Sequence, residues 1–250
     1  MKDDTTIAFP TIIALGDSWF WYLKNNVATP LHSILNKRMD HIILVRGANG
    51  AEAQEYTSGV IFQTLERDLD KTRGYGKTIK AVFLSGGGND LAGPEDFLPL
   101  LEEDCSKFKT AEACLRIRQP GKLFGKVTSA LGTIIELVEN KIPGTPVFAH
   151  SYDYANPNGL GFFGLGQWLR FPMDQCKVPR SLQQDLINLL IDRYWEAMVK
   201  LRKQFPQLQL IDQRGTLGRD EWANELHPTP AGFKKIAKRW KPQLEAAGLA

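Results

Sequence analysis

Short apolar runs that stop at glycine turns alternate with longer amphipathic runs along the whole chain, and this alternation constrains the fold more than any other feature. Thr11–Leu15, His41–Val45, Ile79–Leu84, Pro146–Ala149 and Leu208–Ile211 are apolar runs of strand length. Pro30–Lys37, Val60–Leu69, Phe124–Glu139, Ser181–Phe205 and Pro230–Ala246 carry apolar residues at helical spacing. In the first helix Leu31, Ile34 and Leu35 share a face; in the fourth, Leu186, Leu189, Leu190 and Tyr194 do. A strand that is apolar throughout is buried on both faces, which is how strands of a helix-covered parallel sheet read. The pattern therefore predicts an α/β fold with a five-stranded, mainly parallel sheet, each strand leading to a helix. No repeat or linker divides residues 1–250, so one domain is expected, with elaborated loops at about 90–122 and 151–180.

Composition narrows the function classes. The 250 residues are 43% hydrophobic and 24% charged with a formal charge of +3, a globular balance too neutral to indicate a nucleic-acid partner. No apolar stretch approaches the roughly 18 residues of a membrane helix. Met1–Thr6 lacks the apolar core of a signal peptide, so the expected location is cytoplasmic, or exported without a cleavable signal. Oligomeric state is not legible. The four histidines and three cysteines show no metal-ligand spacing, so no metal site is expected. Cys105 and Cys114 lie close enough in sequence to close a small disulfide loop, while Cys176 stands alone.

In an open parallel sheet, ligands bind beyond the carboxyl ends of the strands. Three strands end in small-residue turns with polar side chains: Gly16-Asp17-Ser18, Gly47-Ala48-Asn49-Gly50 and Gly86-Gly87-Gly88-Asn89-Asp90. Ser18 could be an exposed nucleophile or an ordinary N-cap. Phe20 stands where a Gly-x-Ser-x-Gly elbow needs its second glycine, which excludes the α/β-hydrolase pattern. Asn89 could donate to an oxyanion or simply occupy a turn, and Gly50 could offer a backbone N–H with no side chain in the way. His227, between Glu225 and Pro228 before the last helix, sits on a proline-stiffened loop suited to a general base. Asp17 and Asp90 read as turn or cap residues.

Taken together and in this order, Ser18, Gly50, Asn89 and His227 resemble the four blocks of the SGNH subgroup of the GDSL esterase and lipase family, across residues 11–240. The resemblance implies a flavodoxin-like three-layer α/β/α sandwich and serine-dependent hydrolysis of carboxylic esters through an acyl-enzyme, without a metal or organic cofactor. It implies Ser18 as nucleophile, His227 as base, and Ser18, Gly50 and Asn89 as the oxyanion hole. One departure matters: the family has an aspartate three residues before the histidine, where this chain has Asn224. Asn224 is the expected orienting residue; Glu225, Asp220 and a main-chain carbonyl are the alternatives.

Trp19-Phe20-Trp21-Tyr22 follows the nucleophile, and four consecutive aromatics cannot all face a core. Trp19 and Trp21, with Phe162, Phe163 and Trp168 of the second long loop, are expected to line an apolar acyl pocket. The expected partner is a small-molecule ester of an apolar acid or a lipid, with peripheral lipid contact open. A carbohydrate O-acetyl esterase is the alternative, since aromatic platforms also stack on sugars and Tyr152, Asp153, Tyr154, Asn156 and Asn158 would give the rim polar character. A non-catalytic binder on the same fold is a third reading. A nucleotide binder using the three glycines is weaker, because phosphate-loop spacing is missing.

Overall fold

A computed structural model describes residues 9–22, 25–36, 41–161 and 168–250. In chain order its elements are β1 (Ile12–Gly16), the one-turn α1 (Ser18–Trp21), α2 (Ala28–Leu35), β2 (Ile43–Gly47), α3 (Gly59–Asp68), β3 (Ala81–Leu84), α4 (Pro94–Phe97), α5 (Gln119–Lys141), β4 (Val147–His150), α6 (Arg170–Gln175), α7 (Arg180–Arg202), β5 (Leu208–Ile211) and α8 (Pro230–Ala246). All five strands pair in parallel in the order β2-β1-β3-β4-β5. With right-handed crossovers, that order puts α2 and α8 together on one face and α5 and α7 together on the other. The expected α/β/α sandwich is the observed one.

Every residue of β1, β3 and β4 is buried, as their unbroken apolar runs require, whereas β2 and β5 are edge strands and partly exposed. The strand expected at 41–45 sits two residues later, because its register pairs Gly47 with Gly16. Gly47 has φ +106°, and a Cβ there would stand 2.0 Å from the Gly16 carbonyl oxygen, so only glycine lets the two turns approach. Two helices begin earlier than their apolar spacing indicates: α2 at Ala28 and α5 at Gln119. In α5, Pro120 falls in the first turn, where its missing N–H costs nothing. The inner face of α7 runs Leu186, Ile187, Leu190, Ile191 and Tyr194, with Leu189 turned partly outward. No described helix is long and apolar enough to cross a membrane.

A Leu101–Leu115 bridge folds the first long loop back and brings Cys105 beside Cys114, but the two thiols are free. Each S–H instead faces a main-chain carbonyl: Cys105 those of Glu102 and Cys114, and Cys114 that of Thr110. The disulfide that the sequence spacing allowed is therefore not formed, and burial pushes the Cys105 thiol up to about 12.

Candidate active site

β1 and β3 are neighbours from which the chain departs in opposite directions, so the crevice at their carboxyl ends is the topological switch point of the sheet. Ser18 leaves β1 at the first residue of α1. Asp17 caps this turn by accepting the Trp19 backbone N–H at 3.0 Å, and it also accepts the Ser85 and Tyr152 hydroxyls. Tyr152 makes that contact from a left-handed backbone conformation, φ +59°, rare for a bulky residue. Burial raises the Asp17 carboxyl above its ordinary range, and its three hydrogen bonds pull the other way.

The loop before α8 is closed by a Trp222–Pro228 bridge and by the Ala223 N–H donating to the His227 carbonyl at 2.8 Å. It is tied to α1 by the Trp19 indole N–H, which donates to the Leu226 carbonyl at 3.1 Å. His227 is thereby held over Ser18: its Nε2 stands 2.8 Å from Ser18 Oγ and its Nδ1 3.0 Å from Asn224 Oδ1. Asn224 Oδ1 also accepts the Leu226 and His227 backbone N–H groups, which identifies it as the oxygen of the amide. Nδ1 must then carry the proton, leaving the Nε2 lone pair to accept the Ser18 hydroxyl. Ser18 is 8% and His227 5% exposed. Burial lowers the imidazole to about 4, so it is a neutral base at pH 7.

The two turns expected to supply oxyanion donors are bonded to each other. Asn89 Nδ2 donates to the Ala51 carbonyl at 3.0 Å, and the Ala53 N–H donates to Asp90 at 2.9 Å. Register sets the Gly50 turn beside the Ser18 turn, and Gly50 adopts φ +78° with open space around its Cα. Among the described residues, the backbone N–H groups of Ser18 and Gly50 take no protein acceptor. Asp17 and Asp90 thus act as cap and brace, as their turns suggested.

The remaining sequence expectations divide. Glu225 does not reach His227. Its carboxylate is fully buried and accepts the backbone N–H groups of Gly159, Trp168, Leu169 and Arg170, while its own N–H donates to the Leu160 carbonyl. Asp220 is exposed, in a short 3₁₀ turn. Neither bonds His227 Nδ1, whereas Asn224 does. Trp19 is buried and lines a cavity with Ser18 and Asn89, whereas Trp21 is 47% exposed and takes no part in it. Trp168 stands nearly perpendicular to the His227 ring, with centroids 6.3 Å apart. Phe162 and Phe163 lie outside the described residues. The sequence reading gave no role to Tyr22, whose ring stacks on His227 at 4.2 Å and 11°. It also missed the inner face of α7 as a cavity wall, because apolar helical spacing reads the same whether a face meets core or cavity.

No protein-family model matches the chain, and no curated protein does. Solved structures do match. A lipase from goat rumen metagenome is 16% identical with TM-score 0.58, covering 96% of this chain and 98% of its own. An extracellular lipase from Streptomyces rimosus is 15% identical with TM-score 0.56, covering 96% and 100%. A family 3 carbohydrate esterase from Clostridium thermocellum is 14% identical with TM-score 0.53, covering 96% and 98%. At these identities the likeness is one of fold: the chain has the architecture shared by these lipases and esterases.

Proposed function

We propose that this chain, on the SGNH-hydrolase fold, hydrolyses carboxylic esters of apolar acids with Ser18 as nucleophile. One observation carries the reading: Ser18, His227 and Asn224 form a hydrogen-bonded line of 2.8 and 3.0 Å whose nucleophilic end opens onto a cavity. In the first step Ser18 Oγ attacks the ester carbonyl carbon as His227 Nε2 takes its proton. The carbonyl oxygen becomes an oxyanion, met by the backbone N–H groups of Ser18 and Gly50 and by the second Nδ2 hydrogen of Asn89, the first being held by Ala51. Collapse breaks the bond to the alcohol, which leaves with the proton from His227. A water then loses its proton to His227, attacks the acyl-enzyme, and frees the acid and Ser18.

The carbohydrate-esterase alternative is disfavoured by what the polar side chains around the site already do. Asp153 accepts the backbone N–H groups of Tyr154, Gly215 and Leu217. Tyr152 donates to Asp17, Tyr154 to Asp192 and Asn156 to the Arg219 carbonyl, while Asn158 Oδ1 accepts the Leu160 N–H, so each of these groups is already engaged within the protein. A binder without catalysis has no use for a base held in the acceptor tautomer against a serine hydroxyl.

The test is hydrolysis of p-nitrophenyl alkanoates by the wild type, Ser18→Ala and His227→Ala. Removal of either residue should cost at least about 10³-fold in kcat. Turnover unaffected by Ser18→Ala, or none in the wild type on any ester, would overturn the proposal.

A further inference from the structure

Three contacts, made from positions three residues apart, join the segment that begins at Ser18 to the loop that carries His227. The Trp19 indole N–H donates to the Leu226 carbonyl at 3.1 Å, the Tyr22 ring lies on the His227 ring, and the Asn25 side-chain amide donates to the Pro228 carbonyl at 2.8 Å. The two hydrogen bonds hold the main chain on either side of His227, and the stacked ring holds the imidazole between them. The place of Tyr22 follows from the turn itself. Its N–H donates to the Ser18 carbonyl at 2.8 Å and closes α1, so residues 18 and 22 fall one helical turn apart on the same side. The Ser18 hydroxyl and the Tyr22 ring therefore meet one imidazole. The hydroxyl meets it at the Nε2 edge; the ring covers its face, with centroids 4.2 Å apart and planes 11° apart.

That face matters because of the charge the reaction creates. As Ser18 Oγ bonds the ester carbon, its proton passes to Nε2 and the ring becomes an imidazolium. Asn224 is neutral, and the Glu225 carboxylate is taken up by four backbone N–H groups, so neither supplies a countercharge. An aromatic face carries negative charge density, and it attracts a cation within about 6 Å of its centroid, more strongly out of water. His227 is 5% exposed and the Tyr22 centroid lies well inside that range, whereas Trp168, at 6.3 Å and 79°, lies outside it. A neutral ring gains little from the same face, so the attraction grows as the proton arrives. Resting on the ester hydrolysis proposed above, we infer that Tyr22 is a positioning residue whose ring face stabilises the His227 imidazolium in place of the charge that Asn224 lacks.

The experiment compares Tyr22→Phe with the same enzyme carrying pentafluorophenylalanine at that position, introduced by nonsense suppression. Fluorination keeps the shape of the ring and reverses the sign of its face, so a ring that only fills space serves equally well in either form. Single-turnover hydrolysis of p-nitrophenyl butanoate is followed for both in the wild-type and Asn224→Asp backgrounds, with Ser18→Ala as the control for spontaneous hydrolysis. A cation over a desolvated aromatic face gains about 5–30-fold in an equilibrium, so Tyr22→Phe should exceed the fluorinated enzyme at least about fivefold. Asn224→Asp supplies the countercharge and should narrow that gap to about twofold or less. Tyr22→Leu, which removes the face and keeps apolar bulk, replaces the fluorinated enzyme if that one fails to fold, with the same ratios expected. Equal rates with and without the electron-rich face, or an equal gap in the two backgrounds, would overturn the inference and leave the esterase intact. Absence of Ser18-dependent hydrolysis of any p-nitrophenyl alkanoate would overturn both.

Discussion

Oδ1 of Asn224 stands 3.0 Å from Nδ1 of His227 and is locked in that orientation by the backbone N–H groups of Leu226 and of His227 itself. In the serine-protease triad, exchanging the aspartate for asparagine costs about 10⁴-fold, through the wrong imidazole tautomer. Here two main-chain donors already hold the amide oxygen toward the ring. The tautomer is correct, and only the negative charge is missing. Asn224→Asp should therefore raise kcat by about tenfold or more, since each tenfold in the imidazolium equilibrium corresponds to one pKa unit. Asn224→Ala should lower it at least tenfold by freeing the ring and two backbone donors. Single-turnover rates on a p-nitrophenyl ester decide the matter, and a slower Asn224→Asp enzyme would contradict the orientation argument.

The same pair governs the pH profile. Burial holds the His227 imidazole at about 4, against 6.5 for a free histidine. Only the neutral ring can take the Ser18 proton, so activity is complete above the folded-state value and is lost as pH falls through it. The acid limb of kcat/KM should fall near pH 4, with almost full activity at pH 5.5. Placing a carboxylate beside Nδ1 favours the imidazolium, so Asn224→Asp should move that limb upward. A wild-type limb at 6.5 would show that the ring is hydrated in the working enzyme.

Much of this geometry was legible before the structure, and the parts that were not share a cause. β1, β3 and β4 were readable because strands buried on both faces need unbroken apolar runs, whereas Ser18, Asn89 and His227 each read singly as a cap, turn or loop residue and stood out only through their combined order, which resembles the SGNH blocks. Asn224 was readable only through that resemblance, which puts the residue that orients the histidine three positions before it. Glu225 was not: its four partners lie 55 to 66 positions earlier in the chain, and no local pattern distinguishes a carboxylate that orients a ring from one that gathers backbone amides. The shift of β2 by two residues was hidden for the same reason, since it follows from register against Gly16.

Glu225 gives a test of structural dependence. One fully buried carboxylate joins Gly159 to Trp168, Leu169 and Arg170, and Leu169 lines the cavity while Trp168 faces His227. Hydrogen bonds to a charged group contribute about 1.5–3 kcal/mol each, and Glu225→Ala leaves four donors without their acceptor. Water entering the vacated space takes over part of these bonds, so a net loss of about 3 kcal/mol is expected, which lowers Tm by roughly 6–12 °C in a chain of this size. Hydrogen exchange at the amides of Gly159 and 168–170 should accelerate beyond the global change. Unaltered protection there would mean that other contacts hold the segment.

Asp90 supplies a stability test with a definite sign. Its carboxylate braces Asn89 against the Gly50 turn through the Ala53 N–H, and burial raises it to about 6 from 3.8. Below pH 3.8 the group is protonated whether the chain is folded or not, and contributes nothing. As pH rises from 3.8 to 6 the unfolded chain ionises while the folded protein keeps the proton, so stability falls by about 3 kcal/mol across that window, at 1.36 kcal/mol per unit, and levels off above it. Asp90→Asn keeps an oxygen for the Ala53 N–H and removes that charge. It should resist urea better than the wild type at pH 8, by up to about 3 kcal/mol, and lose the advantage at pH 4. The difference between the two urea midpoints at each pH is the measurement. A difference that does not vary with pH would mean that the carboxyl is solvated and that the brace is not under electrostatic load.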